Sequence, residues 1–202
     1  MSKNPLVKIG YGLYVLTSKY GDKDNGCIIN SVIQVADKPN KIAVSVNNAN
    51  YTKEIIQSSG KFNISVLTEE TPFYVFEHFG FSSGRNVNKF EKTDNLFRSE
   101  NGIYVVPKFS NSYISGEVTD SADLGSHTLF IADVTGGYVF NDLPTVTYNY
   151  YHANIKPNPP KTDKKGWVCK ICGYICESDE LPEDYVCPIC KHGAADFEKL
   201  ES

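Results

Sequence analysis

Four of the six cysteines stand near the end of the 202-residue chain as two Cys-x-x-Cys pairs, Cys169-Lys-Ile-Cys172 and Cys187-Pro-Ile-Cys190. Each pair places two thiolates on one tight turn, and two facing knuckles complete a tetrahedron of sulfur. A tetrahedral four-sulfur site suits zinc or iron, and spacing alone leaves that choice open. Zinc would make this end a brace; iron would make it an electron carrier. Cys176 is expected to be a free surface thiol, because four better-placed ligands are present. Cys27 lies in an apolar stretch and is expected to be buried and inert.

The residues around the knuckles cannot build much of a core. Fewer than about 40 residues rarely bury enough surface to fold unaided, so a metal is expected to supply folding energy. Trp167, Tyr174 and Phe197 are the expected small core beside it. The module carries eight acidic residues against five lysines, a net −3 before any metal. That sign argues against a nucleic-acid ribbon and suits docking on a basic protein patch. The whole chain, at −4, gives no electrostatic reason to expect nucleic acid. No apolar run approaches the roughly 20 residues of a membrane span, and the N-terminus lacks an apolar signal core. The expected location is cytoplasmic, where cysteines favour metal or redox chemistry over structural disulfides.

The elements that position these groups divide in two. Residues 154–165 hold three prolines and four lysines and read as a semi-extended linker. The expected division is 1–155, linker 156–164, and 165–202. The first part reads as strands: 12–18, 25–35, 41–46, 61–67, 112–118 and 128–134 are rich in β-branched and aromatic residues. Helices are expected only at 52–58, 72–79 and 87–92. Many strands and few helices imply a mainly β fold, a closed or partly closed barrel. One segment suggests an anion site. In Asn47-Asn-Ala-Asn-Tyr-Thr-Lys-Glu54, between a strand and a helix, free N–H groups, an amide and a hydroxyl could hold a dianion; a bare helix cap is the alternative.

Trp167-Val-Cys-Lys-Ile-Cys-Gly-Tyr174, Leu181-Pro-Glu-Asp-Tyr-Val-Cys-Pro-Ile-Cys190 and Asp196-Phe197 resemble the rubredoxin family throughout the module. The resemblance implies one iron on Cys169, Cys172, Cys187 and Cys190, cycling between Fe(III) and Fe(II), with zinc able to replace it in recombinant protein. Gly173 and Gly193 are expected to let backbone N–H groups point at sulfur. The short loop between the knuckles resembles the rubredoxin-like ends of rubrerythrins.

Residues 8–155 resemble the flavin reductase-like, FMN-binding split-barrel family. The match runs through Asn25-Gly-Cys-Ile-Ile-Asn-Ser-Val-Ile-Gln-Val35, Ile42–Asn47, Tyr51-Thr52, Phe79-Gly-Phe-Ser-Ser-Gly-Arg-Asn-Val-Asn-Lys-Phe90, Gly125–Ile131 and Tyr148-x-Tyr-Tyr-His152. It implies a homodimer with FMN near the subunit interface. Asn30 and Ser31, with Gln34 a further candidate, would face the flavin pyrimidine edge. Ser45, Val46 and Asn47 would line the ring or its ribityl chain. Asn50, Tyr51 and Thr52 would hold the phosphate, and Arg85 and Lys89 would supply positive charge. His127 would lie near flavin or nicotinamide, although Ser126 replaces the family's Asp there.

The two domains together resemble the high-molecular-weight rubredoxins. That resemblance implies electron flow from NAD(P)H through FMN to iron and on to an acceptor protein of flavodiiron or peroxide-reducing diiron type. A non-enzymatic FMN/iron shuttle reduced by another protein, and a zinc-braced binding module, are the two rivals.

Overall fold

The computed structural model describes residues 5–91, 93–157, 166–189 and 193–200. The first domain contains β1 (Tyr14–Tyr20), β2 (Lys23–Ile29), β3 (Val32–Asp37), β4 (Asn40–Asn47), helix α1 (Tyr51–Ser59) and β5 (Lys61–Leu67). Helix α2 (Phe73–Gly80), the two-residue strands β6 (Phe97–Arg98) and β7 (Tyr104–Val105), β8 (Ser110–Asp123) and β9 (His127–Val139) follow. Seven strands pair in the order β2-β1-β5-β8-β9-β4-β3. The two end strands are consecutive in the chain, so the sheet curls into a split barrel. The expected single strand over 25–35 is therefore two, broken at Asn30–Ser31 where the chain crosses between the sheet's ends. The Ser45 amide secures that corner by donating to the Ser31 carbonyl at 3.1 Å.

Successive residues of a strand face opposite ways. On β1, Leu16 enters the barrel interior with Cys27, Val44, Val46, Phe62, Ile64 and Phe130. Its neighbour Val15 packs outside, with Leu13, Val75, Phe76, Phe79, Phe90 and Tyr151. Full burial of such a side chain contributes about 1.5–3 kcal/mol. The second cluster seats α2 and a short α3 (Tyr148–Tyr150), which runs into a π-helical turn at Tyr151–Ile155. The helices at 52–58 and 72–79 stand as expected, within a residue at each end. The helix expected at 87–92 is absent among the described residues. The Asn88 side chain accepts from the Phe90 amide, and Lys89 turns inward, which favours a turn over a helix.

The second domain is a three-stranded sheet, β11-β10-β12, of β10 (Trp167–Cys169), β11 (Ile175–Cys176) and β12 (Phe197–Lys199). Most of the expected linker, from residue 158 onward, lies outside the described residues. Among the described residues, no helix is long and apolar enough to cross a membrane.

Candidate functional site

β10 ends on Cys169 and opens the first knuckle. The Cys169 amide donates to the Tyr174 carbonyl and the Gly173 amide to the Cys169 carbonyl, each at 2.8 Å, closing the turn. The sulfur atoms of Cys169, Cys172 and Cys187 lie within 4.8 Å of one another, with Cys172 and Cys187 3.5 Å apart. A tetrahedral centre with metal–sulfur bonds of about 2.3 Å has sulfur–sulfur edges of about 3.8 Å, so these thiolates fit one metal ion. Cys190, the expected fourth ligand, lies outside the described residues. Phe197 is buried beneath the knuckles, with Tyr185 edge-on at 5.3 Å and Trp167 and Tyr174 packed alongside. Cys176 is half-buried on β11, opposite Trp167, rather than on the open surface, because β11 pairs with β10. Cys27 is buried on β2, and burial pushes its thiol up.

A cavity of about 250 Å³ opens between α1, α2, α3 and the β2–β3 corner. Seven of the expected barrel residues line it: Asn30, Ser45, Asn47, Asn50, Tyr51, Lys89 and His127. The other five stand behind or beside it. Ser31 donates to the Asn30 amide oxygen at 2.9 Å and so orients a lining residue. Gln34 folds back on its own hairpin toward the Ala36 carbonyl. Val46 belongs to the barrel core. Thr52 is buried, and its hydroxyl accepts from Asn25 at 3.0 Å. Arg85 is exposed, pairs with Glu54 and stands 4.6 Å from the Tyr51 ring centroid.

Asn50 caps α1, the alternative weighed against an anion site, and the cap changes what α1 offers. Asn50 accepts from the Thr52 amide through its side chain and from the Lys53 amide through its carbonyl. These two amides are thus satisfied within the cap. The cavity instead meets the side chains of Asn47, Asn50 and Tyr51.

Lys89 supplies the charge. It is 3% exposed, and its ammonium donates to the Gly26 and Phe79 carbonyls, both at 2.8 Å. An ammonium has three donors, which leaves one for the cavity. Burial lowers Lys89 to about 8 from 10.5. Between those pH values the unfolded chain binds more protons than the native one, so this group's contribution to stability rises with pH across that window. The rise is on the order of 3 kcal/mol at most. Lys89→Met is expected to lack it, so the wild type should gain on the variant in thermal melts taken from pH 8 to 10.

Motif reading gave no role to the far wall, formed by Phe81, Tyr148, Tyr151 and His152 and by two knuckle residues, Ile171 and Ile189. Burial pushes the Tyr151 phenol up, and Tyr148, Glu77 and Cys172 add to the shift. The aromatic run at 148–152 was the available signal for α3's part in this wall. Nothing local in sequence brings the knuckles there.

Residues 6–158 match the flavin reductase like domain, and residues 167–198 the rubredoxin-like domain of rubrerythrin. A high molecular weight rubredoxin from Moorella thermoacetica is 34% identical over 230 residues, covering 99% of this chain and 100% of that one. This chain belongs to the high-molecular-weight rubredoxins. The rubrerythrin form of the module agrees with the short loop between its knuckles. A ferric-chelate reductase (NAD(P)H) from Archaeoglobus fulgidus is 35% identical over 164 residues, 80% of this chain and 95% of that one. Flavoredoxin from Methanosarcina acetivorans shares the barrel fold with a TM-score of 0.61 at 20% identity, over 69% of this chain and 74% of that one. Membership in this family makes the chain an oxidoreductase that works by flavin-based electron transfer, with an iron-binding rubredoxin module. The amide-rich, lysine-bearing cavity suits a flavin, and the clustered thiolates suit iron.

Proposed function

We propose that the chain passes electrons from NAD(P)H through FMN in the barrel cavity to a four-cysteine iron, and on to an acceptor protein of flavodiiron or diiron type. FMN bound there would supply a hydride acceptor for NAD(P)H and a one-electron donor to Fe(III), with one electron passing per iron reduction and the hydride's proton released to solvent. The observation that carries this reading is a shared cavity: flavin-type residues form one wall and the residues beside the iron ligands form another. Asn30, oriented by Ser31, offers an amide to the pyrimidine edge. The side chains of Asn50 and Tyr51 reach the cavity beside the start of α1, where they would meet the single phosphate of FMN. Lys89 favours negative charge on the ring or phosphate. Cys190 completes the ligand set with Cys169, Cys172 and Cys187. The proposed division remains 1–155, 156–164 and 165–202.

The protein is proposed to act in the cytoplasm as a homodimer. Ile33 and Val35 are exposed on edge strand β3, a surface suited to a second copy. The acidic module would meet the acceptor.

Anaerobic addition of NADH or NADPH to protein of measured flavin and metal content tests the scheme. The flavin band should bleach first and the iron bands afterward. A flavin that dithionite bleaches and neither nucleotide does would leave the shuttle reading, which the position of Ile171 and Ile189 at the cavity favours. Colourless, iron-free protein from the native host would leave only the zinc brace.

A further inference from the structure

Ile171 and Ile189 hold the same place in the two knuckles, immediately before the second cysteine of each pair. A residue between two ligands on one tight turn stands beside the metal, so the pair forms an apolar face at the module's metal end. Ile189 does not join the module's own buried cluster and is 45% exposed, with Val186 at 53% on the same knuckle. In the folded chain both isoleucines line the barrel's cavity together with Asn30, Asn50 and Tyr51, the polar residues proposed to meet a flavin.

That cavity holds about 250 Å³ with both isoleucines on its wall. Hydride transfer requires a donor ring packed against its acceptor, with reacting atoms about 3–3.5 Å apart. The two isoleucines on the cavity wall take up space that a nicotinamide ring would need to stack on a flavin bound there. The tether permits another arrangement. Ten residues, 156–165, join the domains, and a covalent span of up to about 35 Å is long enough for the module to stand away from the mouth without unfolding.

We propose that the rubredoxin-like module docks through Ile171 and Ile189 onto the mouth of the flavin cavity, and that the docked module and the nicotinamide ring exclude one another there. The inference rests on the flavin occupying this cavity, as proposed above. The chain then alternates between an open form that admits the dinucleotide and a docked form that brings iron to flavin. One apolar face cannot serve both at once.

Exclusion has a measurable size. Apparent affinity falls by the fraction of chains in the competent form, so a module docked nine-tenths of the time weakens dinucleotide binding about tenfold. The test uses the full, FMN- and iron-loaded oxidised chain beside Ile171→Asp/Ile189→Asp and the milder Ile189→Asp. Iron absorption bands report whether the module remains folded, and Ile189, being half-exposed, tolerates an aspartate alone. NADP+ and NAD+ binding is measured by calorimetry, and amide hydrogen exchange is followed at residues 148–155. The expected result is faster exchange there in both variants and dinucleotide binding tightened several-fold, toward tenfold in the double variant. Unchanged exchange, or unchanged dinucleotide affinity in folded variants, overturns the proposal. Failure of every protein to bind a dinucleotide would defeat the electron-entry reading and the exclusion with it. Exchange at 148–155 would still decide whether the module docks.

Discussion

Cys172→Ser is expected to unfold the C-terminal module and abolish electron delivery to a protein acceptor, while the barrel stays folded and flavin-competent. Among the described residues of the module, the buried apolar side chains are Val168, Cys169, Cys187 and Phe197. Two of the four are proposed metal ligands. Val168 and Phe197 contribute a few kcal/mol between them, at about 1.5–3 kcal/mol each. Structural metal binding in comparably small domains supplies about 10–16 kcal/mol, so the fold depends on the full ligand set. A serine hydroxyl in place of the Cys172 thiolate opens the cluster at the edge it shares with Cys187, 3.5 Å away. The barrel has two buried clusters of its own and draws no residue of either from the module. The expected signature is therefore divided: no iron bands, rapid proteolysis beyond residue 157, retained flavin, and retained bleaching by NAD(P)H. A variant that resists proteolysis and still reduces an acceptor protein would refute it.

Much of this arrangement was legible because it is local. The knuckles declare themselves by spacing, and the cap at Asn50 by a polar residue ahead of an amphipathic turn. The strands followed from β-branched runs, and β5 falls at Lys61–Leu67, the span read from sequence. What escaped was set by long-range packing. The break at Asn30–Ser31 sits inside an unbroken β-rich run, and only the sheet's closure puts a corner there. The resemblance points to Lys89 as a positive charge for the cofactor, but nothing local shows that carbonyls from β2 and α2 draw its ammonium inward. Thr52 and Val46 lie beside true lining residues in sequence and face the interior. The approach of Ile171 and Ile189 to the cavity crosses a domain boundary, where no periodicity carries information.

Gly84→Ala is expected to weaken flavin binding at least tenfold without touching the iron site. A methyl group at Gly84 would fall on the side-chain amide of Asn25. Asn25 is 1% exposed and has no open space to enter. Its amide nitrogen donates to the Thr52 hydroxyl at 3.0 Å, and the Thr52 backbone amide donates to Asn50 at 3.1 Å. One added carbon therefore pushes on the chain of contacts that sets the cap of α1, and with it Asn50 and Tyr51 at the cavity. The loop carrying Ser82, Ser83 and Gly84 lines the same cavity and must move outward if Asn25 does not yield. Overpacking of this kind costs about 1–3 kcal/mol of stability, and a factor of ten in affinity corresponds to about 1.4 kcal/mol. Gly80→Ala provides the contrast. Gly80 also lines the cavity, but a methyl group there meets only Ile28, at 3.5 Å, an ordinary contact. Flavin titration of the two apoproteins should separate them, with Gly84→Ala weakened and Gly80→Ala within about twofold of wild type. Equal affinities would mean that the Asn25–Thr52–Asn50 chain does not position the flavin site.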